Sequence, residues 1–457
     1  MLDTTNRALV ARAQRNILTW ADIFEAESEL DRGTQQLAHL QSALAERYPE
    51  LFKAFQTPPG PIEVAALQRL LPPDTLLLQF AIVFEECLGW AISSTGIHHT
   101  FVVEQDVRLL ERDMRALVNA CRHGRTYGAL AERLARCLID PFDALLGQYA
   151  HLVVIPSGAA QTIPFHLLPW RGQPLLVTHS IAYALSASAM PFMQEATITA
   201  EDSILAVGDP DHMAFPLIFS SALNPVARLP TAGVEARLVA ESFQHHMLLL
   251  HEHATHTAVQ AALDQHAILH FATHGVYYED LPLFSGVLLA DGKVLRIGDL
   301  LKITLKADLV VLSACESGHG ERTRGEDSIG LSHALLAAGA KTVIASLWPV
   351  NDFATSLLMR AMYTHLQAGK SPAVALQQAQ QYLRLLSVAE INEQRHQCLT
   401  TLGVSLSRSE QQVIDGACFV SPDDQPGPDD YQHPAGFRRF RRSTQGNSAD
   451  RRTHPVQ

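Results

Sequence analysis

Between residues 203 and 368 short, almost wholly apolar runs alternate with longer helical patterns, and this alternation limits the fold more than any other feature. The apolar runs predict strands at 203–210, 247–250, 267–275, 308–315 and 342–348. Helical patterns at 232–244, 256–265, 328–338 and 352–368 separate most of them. Strands that are apolar on both faces and alternate with helices predict an α/β fold, with a mostly parallel sheet covered by helices on both faces.

The chain on either side of this alternation predicts four further parts. Residues 1–57 carry apolar positions at helical spacing, which predict a short helical N-terminal segment. Residues 60–195 mix strand and helix patterns and predict a smaller α/β subdomain that precedes the main domain of residues 200–385. After the main domain we expect an irregular or helical extension over 386–436. Residues 437–457 carry six arginines and almost no aliphatic residues, so we expect a basic, disordered tail.

Composition and charge exclude several classes of protein. Asp and Glu outnumber Lys and Arg by 47 to 35, and this net negative charge argues against a nucleic-acid site on the body of the protein. Only the basic tail has the charge to contact nucleic acid or an acidic partner. No apolar run reaches the ~18 residues of a membrane span, and the N-terminus lacks a secretory pattern. The six cysteines form no C-x-x-C pair, so we expect a protein of the reducing cytoplasm.

Two of the predicted strands end in reactive side chains, His274 and Cys315. If these strands are parallel neighbours, both residues lie at the carboxyl edge of the sheet, where sites form in folds of this type. An imidazole beside a thiol can remove its proton, and only the thiolate is an effective nucleophile. Gly275 follows the histidine and, with the N–H of Cys315, could form an oxyanion hole. The alternative is structural: Cys315 as a small buried residue at a strand end and His274 as an N-cap or turn residue.

Four strings around these residues resemble the CHAT domain family, which comprises caspase-like proteins often preceded by tetratricopeptide repeats. They are L-H-F-A-T-H-G (269–275), L-V-V-L-S-A-C-E-S-G (309–318), G-E-D-S-I-G-L-S-H-A-L-L-A-A-G-A (325–340) and V-I-A-S-L-W-P-V-N-D (343–352). Upstream, the segments 155–169 and 205–210 are similar to the same family. The resemblance runs from about residue 60 to 385. No internal repeat of about 34 residues is detectable in this chain.

The resemblance implies a caspase-like fold and a cysteine endopeptidase of the clan that contains caspases, separase and gingipain. It implies His274 as general base and then acid, Cys315 as nucleophile and Gly275 as oxyanion donor. The substrate would be a protein or peptide, and we expect a bacterial-type enzyme with an activating protein partner.

The resemblance implies no cofactor. H-E-H-A-T-H (251–256) departs from the H-E-x-x-H helix pattern, so we expect no metal site. The alternative function is a catalytically silent interaction module.

Three residues near the predicted nucleophile are candidates for substrate binding. The resemblance places Glu326 and Asp327 where selectivity is set, and a carboxylate there would favour Arg or Lys before the scissile bond. The same loop, 318–327, also carries arginines that such an enzyme could cut itself. A charge run of this kind is more often simply a solvated loop. Trp348 follows the last predicted strand. It either packs in the core or forms a wall of the substrate pocket.

The end of the chain departs from the family pattern. Family members close with a segment like H-P-x-x-W-A-x-F and an apolar final strand, whereas residues 433–447 read H-P-A-G-F-R-R-F-R-R-S-T-Q-G-N. Arginines therefore stand where the apolar strand would be. We expect one edge of the main sheet to be left uncovered, either in a natural variant with a basic tail or in a member whose folding is compromised.

Overall fold

The computed structural model describes residues 62–83, 86–192, 196–216, 223–278, 282–313, 315–316, 327–348 and 352–387, with a few positions from 389 to 397. The predicted helical segment of residues 1–57 and the predicted basic tail of 437–457 lie outside these residues. So does most of the predicted extension over 386–436. All elements below belong to the unit Val64–Gln457.

The first described part of the chain forms a five-stranded mixed sheet with helices packed against it. The strands are β1 (Thr75–Val83), β2 (Glu86–Ser93), β3 (Gly96–Val102), β4 (His151–Ile155) and β7 (Ser180–Tyr183), and β5 (Pro169–Trp170) pairs with β6 (Gln173–Pro174) as a short hairpin. The order is β3-β2-β1-β4-β7, so β7 forms one edge.

The helices of this part are α1 (Val64–Leu70), α2 (Val107–Arg122), α3 (Gly128–Leu138) and α4 (Asp143–Leu146). Asp106 begins α2 as its N-cap, because its side chain accepts hydrogen bonds from the N–H groups of Arg108 and Leu109.

The second part contains the parallel sheet predicted from the alternation of strands and helices, which the structure confirms. Its strands are β8 (Ser203–Pro210), β11 (His245–His251), β12 (Ile268–Ala272), β16 (Leu309–Leu312) and β18 (Thr342–Ala345). Their order is β11-β8-β12-β16-β18, and every neighbouring pair is parallel. The edge strand β18 has β16 as its partner.

Helices cover both faces of this parallel sheet. They are α5 (Pro230–Ala240), α6 (His256–Ala262), α7 (Ile297–Leu300), α8 (Asp327–Ala337), α9 (Asp352–Gln367) and α10 (Pro372–Leu385). Alternate residues of each strand enter different cores: Leu269 and Val310 pack in the cluster with α6 and α8, whereas Ile268 and Val311 pack with α9 and α10. Burial on both faces explains why these strands are continuous apolar runs in the sequence. None of the described helices is both long and apolar enough to cross a bilayer.

A four-stranded sheet extends from the carboxyl end of the parallel sheet. It contains β13 (His274–Val276), β14 (Gly286–Leu288), β15 (Val294–Arg296) and β17 (Cys315–Glu316), in the order β15-β14-β13-β17. The pair β14–β15 forms a hairpin around Asp291-Gly292, in which Asp291 takes the left-handed φ of 58°. A separate antiparallel pair joins β9 (Ala214–Pro216) to β10 (Leu223–Pro225).

Candidate active site

His274 and Cys315 lie opposite each other in the parallel strands β13 and β17, as paired Cα positions. The longer strands that lead to them have the same offset, because Ile268 of β12 pairs with Leu309 of β16. Register is therefore kept from the parallel sheet to this point, and the two strands are parallel neighbours. Adjacent strands lie about 4.8 Å apart, which is close enough for their side chains to interact. The catalytic roles of the two residues remain predictions.

The imidazole of His274 is held by a backbone carbonyl. The side chain is 8% exposed, and its Nε2 lies 2.8 Å from the carbonyl oxygen of Ala227. A carbonyl only accepts hydrogen bonds, so Nε2 carries the proton and Nδ1 is the basic nitrogen of the neutral ring. Burial lowers the pKa of His274 below its ordinary value of 6.5, while the Ala227 carbonyl and the charge of Asp209 act in the opposite direction. The neutral ring therefore dominates near neutral pH.

Asp209 holds the segment that carries the Ala227 carbonyl. It lies at the end of β8, is 1% exposed, and accepts a hydrogen bond of 2.9 Å from the N–H of Leu229. The guanidinium of Arg228 also donates to both of its carboxylate oxygens. Two consecutive residues after Ala227 are thus tied to one buried carboxylate. Neither Asp209 nor Ala227 was predicted from the sequence, although G-D-P at the end of a strand was a signal that could have pointed to Asp209.

Close packing of α5 on β8 supports the same segment. A Cβ added to Gly208 would lie 2.8 Å from the carbonyl oxygen of Ala232, so only glycine fits there without movement. Leu229 directly precedes α5, and Pro230 is its first residue. The position of the Ala227 carbonyl is therefore determined from both sides, by Asp209 and by the start of the helix.

Gly275 is half-buried in β13, opposite Val287 of β14 and Glu316 of β17. Its role as an oxyanion donor remains a prediction. Asp327 is the first residue of α8, while Glu326 and the rest of the charged loop lie outside the described residues. Their predicted role in substrate selectivity is therefore not tested by the structure.

Trp348 is 5% exposed and packs in the hydrophobic core of the first sheet, although it follows β18 of the second. Trp348 therefore packs in a core, which was one of the two interpretations of its position in the sequence. Trp348 also lines a cavity of about 440 Å³ between β7 and β18, together with Ser313 and Ser346. Ser313 directly follows β16 and Ser346 directly follows β18. A role for Trp348 as a pocket wall remains a prediction.

A second buried histidine, His270, belongs to the core and not to the candidate site. It is fully buried in β12, with Nε2 3.1 Å from a carboxylate oxygen of Glu235 and Nδ1 3.2 Å from the hydroxyl of Tyr363. Burial raises the pKa of Tyr363 well above its ordinary value, so its hydroxyl keeps its proton where it is hydrogen-bonded to Nδ1. This network links α5, β12 and α9, and no sequence pattern predicted it.

The histidines of H-E-H-A-T-H have other partners. His251 ends β11 with a left-handed φ of 54°, and its Nδ1 lies 2.9 Å from the Arg228 guanidinium. His256 lies 3.7 Å from a carboxylate oxygen of Asp299. Within the part of the chain that the structure describes, no three residues among His, Cys, Asp and Glu are arranged to hold a metal ion.

Comparison with known proteins identifies one family. The model of the CHAT domain matches residues 128–400, which is more than half of the chain. Tetratricopeptide repeat protein 28 from Mus musculus is 36% identical over 86 residues, which cover 19% of this chain and 4% of the mouse protein. Its counterpart from Homo sapiens is 25% identical over 287 residues, covering 51% of this chain and 11% of the human protein. Both relatives are mammalian, so they give no support to the expectation of a bacterial-type enzyme.

Proposed function

This chain belongs to the CHAT domain family, which is related to the caspase-like cysteine peptidases, and from that premise we propose that it is a cysteine endopeptidase. In this proposal His274 is the general base and Cys315 the nucleophile. The observation that carries it is the direct pairing of the two residues across β13 and β17. Directly opposite residues of neighbouring strands project to the same face of a sheet, so the imidazole and the thiol would be neighbours.

The proposed reaction follows from the tautomer of His274. Nε2 donates to Ala227, so Nδ1 takes the proton of the Cys315 thiol. The thiolate then attacks the scissile carbonyl carbon, and the carbonyl oxygen becomes an oxyanion near the N–H groups of Gly275 and Cys315. His274 returns the proton to the leaving amine as the peptide bond breaks, which gives a thioester. Water, deprotonated by His274, attacks the thioester and releases the acid and the free thiol.

A backbone carbonyl takes the place of a third catalytic side chain in this proposal. It fixes the orientation of the ring and the position of its proton, which are the functions that a carboxylate performs in Ser-His-Asp triads. A neutral carbonyl stabilises the imidazolium less than a carboxylate would. We therefore propose that His274 acts as a neutral base that accepts the proton during the reaction.

We also propose that Glu326 and Asp327 select a basic residue before the scissile bond. A carboxylate forms strong, charge-assisted hydrogen bonds with a guanidinium or an ammonium group. Asp327→Asn keeps the shape of the side chain and removes its charge. It should lower kcat/KM for substrates with Arg or Lys by at least about tenfold, the effect of one charged hydrogen bond, and leave substrates with Leu unchanged. An unchanged preference would contradict this assignment.

The trigger of the activity is proposed to be a protein partner. The two relatives are named for tetratricopeptide repeats, and repeats of this kind form extended binding surfaces. This chain spans only small fractions of those relatives. We propose that the binding surface for the partner is provided outside the described residues or by another chain.

The alternative is an interaction module without catalysis. It is favoured by Leu283 and Phe284, which are 56% and 39% exposed just before β14 and close in sequence to the candidate site. Adjacent exposed apolar side chains can form part of a larger apolar patch that binds a protein. Such a module would need neither the thiol of Cys315 nor the imidazole of His274.

Hydrolysis of a fluorogenic peptide library tests the proposed function. The peptides carry Arg, Lys, Asp, Asn or Leu before the reporter, and the wild type is compared with Cys315→Ala and His274→Ala. Because the two groups act as one unit, each substitution alone should abolish cleavage. Cleavage that persists in Cys315→Ala would contradict the proposal.

A further inference from the structure

Thr273 is the residue at which the chain passes from the parallel sheet into the four-stranded sheet. Before it, β12 pairs with β8 on one side and with β16 on the other. After it, β13 pairs with β14 and β17, so both neighbouring strands change at this residue. His274 and Gly275, the proposed base and the proposed oxyanion donor, are the next two residues. The path of the chain through Thr273 therefore determines where both of them lie.

The side chain of Thr273 makes a hydrogen bond at this point. It is fully buried, and its Oγ1 donates to the carbonyl oxygen of Leu288 at 2.8 Å. Leu288 is the last residue of β14, the strand that lies beside Gly275. The same Oγ1 lies 3.3 Å from the sulfur of Met213. A hydroxyl has one proton and a thioether sulfur is a weak acceptor, so the contact with Met213 is one of packing.

The bond from Thr273 lengthens a very short strand pairing. Within the described residues, β13 and β14 pair at two positions, Gly275 with Val287 and Val276 with Gly286. The hydroxyl of Thr273 adds a link to β14 on the other side of His274. A buried hydrogen bond that is lost leaves its acceptor unsatisfied, so the chain has a reason to keep this direction.

His274 is thereby held at two points. Its imidazole is bonded to the carbonyl of Ala227, and its backbone continues directly from a residue that is bonded to β14. The first contact orients the ring, and the second fixes the backbone from which the ring projects. Both are needed for a set distance to Cys315, and a misplacement of about 1 Å can cost a catalytic group about 100-fold in rate.

We propose that the hydroxyl of Thr273 is a positioning group for the active site. By binding the carbonyl of Leu288, it sets the direction in which the chain leaves the parallel sheet and keeps His274 opposite Cys315. Thr273 is fully buried, so it acts through its neighbours and does not contact a substrate. The effect on catalysis rests on the proposed peptidase function, whereas the effect on the His274 ring does not.

Two substitutions separate the hydroxyl of Thr273 from its methyl group. Thr273→Ser removes the methyl group and keeps the hydroxyl, whereas Thr273→Ala removes both. Val is less suitable, because a methyl group in the place of Oγ1 would press against the oxygen of Leu288. The matched control is Thr162→Ala, since Thr162 is also buried and its hydroxyl donates to a backbone carbonyl, that of Ala159, at 3.0 Å.

The ring nitrogens of His274 give a readout that does not require catalysis. In the full chain with ¹⁵N-labelled histidine, the signals of His274 are those that disappear in His274→Ala. Nε2 carries the proton in the wild type, so above the pKa the two nitrogen shifts should lie far apart. In Thr273→Ala they should move toward each other as the ring samples both tautomers, whereas Thr273→Ser and Thr162→Ala should keep the wild-type shifts. Wild-type shifts in Thr273→Ala would overturn the proposal.

Alkylation of Cys315 measures the effect on the proposed catalytic pair. Near neutral pH, the rate should fall at least about tenfold in Thr273→Ala and stay within about threefold of the wild type in Thr273→Ser and Thr162→Ala. Hydrogen exchange of β12 checks that each variant is folded. A residue that only stabilised the fold would leave the rate of the folded protein unchanged. An unchanged rate in Thr273→Ala, with a wild type faster than His274→Ala, would therefore overturn the proposal.

The two readouts distinguish a failure of this proposal from a failure of the proposed function. If the wild type reacts no faster than His274→Ala, the catalytic pair is wrong, and the ring nitrogens still decide the role of Thr273. If Thr273→Ala does not fold, Thr273→Ser decides, because it keeps the hydroxyl. Wild-type nitrogen shifts in Thr273→Ser are the expected result, and their loss would overturn the proposal.

Discussion

At His274 the proton on Nε2 is fixed by a carbonyl, and the pKa is set mainly by burial. Because burial lowers this pKa below 6.5, the basic form is present near neutral pH. The negative charge of Asp209 raises the same pKa and limits the effect of burial. The buried carboxylate of Asp209 thus has two effects. It positions the segment that orients the imidazole of His274, and its charge raises the pKa of that imidazole.

Asp209→Asn should shift the pH dependence of peptide hydrolysis. The substitution removes the negative charge that raises the pKa of His274, so the acid limb of kcat/KM should move to lower pH. Asn accepts the left-handed backbone found at Asp209, where φ is 43°. A looser Ala227 segment should also reduce kcat/KM by up to about 100-fold, as expected for a misplaced catalytic group. An acid limb that stays in place or moves to higher pH would contradict the assigned influence of Asp209.

Tyr363→Phe should destabilise the fold without changing the chemistry of the site. The substitution removes the hydroxyl that is hydrogen-bonded to Nδ1 of His270 and leaves that nitrogen unpaired in a fully buried place. An unsatisfied buried group of this kind costs about 1–3 kcal/mol in the free energy of unfolding. The matched control is Tyr382→Phe, since Tyr382 is 37% exposed. Equal stability of the two variants in urea would contradict the importance of the buried network.

The elements of the parallel sheet could be predicted from sequence because their burial pattern is local. The predicted strand at 203–210 coincides with β8, and the predicted helix at 352–368 differs from α9 by one residue. The predicted strand at 267–275 is instead broken at Thr273, whose hydroxyl donates to the carbonyl of Leu288. That contact joins residues far apart in sequence, so no local pattern could predict it.

The candidate site could be predicted from the sequence only in part, because some of its contacts also join residues that are far apart in the chain. A histidine and a cysteine at strand ends are visible in sequence, and the parallel order of the strands brings them opposite each other. The carbonyl of Ala227 leaves no sequence signal, since every residue has one. Its use follows from a contact across 47 positions that depends on the completed fold.

The close approach of β8 and α5 predicts the effect of a small substitution. Gly208→Ala would place a Cβ 2.8 Å from the Ala232 carbonyl oxygen, so the helix must shift. We expect a loss of about 1–3 kcal/mol in the free energy of unfolding, as for other overpacked sites. Peptide hydrolysis should also fall, because the shift moves the segment before α5. Gly96→Ala is the control, since an added Cβ there meets no atom within 4 Å.

Across the whole described unit, the two sheets are joined by side chains that cross between them. The amides of Gln377 and Gln381 in α10 donate to the carbonyl of Leu176 in the first part, at 3.0 and 2.9 Å. Trp348 makes an apolar connection, since it follows β18 and packs in the core of the first sheet. The candidate site and the five-stranded sheet of the first part are therefore expected to unfold together.

Trp348→Ala tests this connection. Removing a large buried side chain should lower the free energy of unfolding by about 3–5 kcal/mol, as for other aromatic-to-Ala changes in cores. Unfolding of both sheets should shift together when followed by hydrogen exchange. Phe284→Ala, at a site 39% exposed, serves as the surface control and should change stability by less than about 0.5 kcal/mol. A shift in only one sheet would contradict a shared core at Trp348.

The most direct test of the central claim, that His274 activates Cys315, is the alkylation rate of Cys315 in the wild type and in His274→Ala. It needs neither a substrate nor an activating partner. Cys87 and Cys121 are internal controls, because burial raises their pKa values to about 11 and about 12. Near neutral pH, Cys315 of the wild type should react at least about tenfold faster than in His274→Ala and far faster than either control. Equal rates for Cys315 in the two proteins would contradict the catalytic pair.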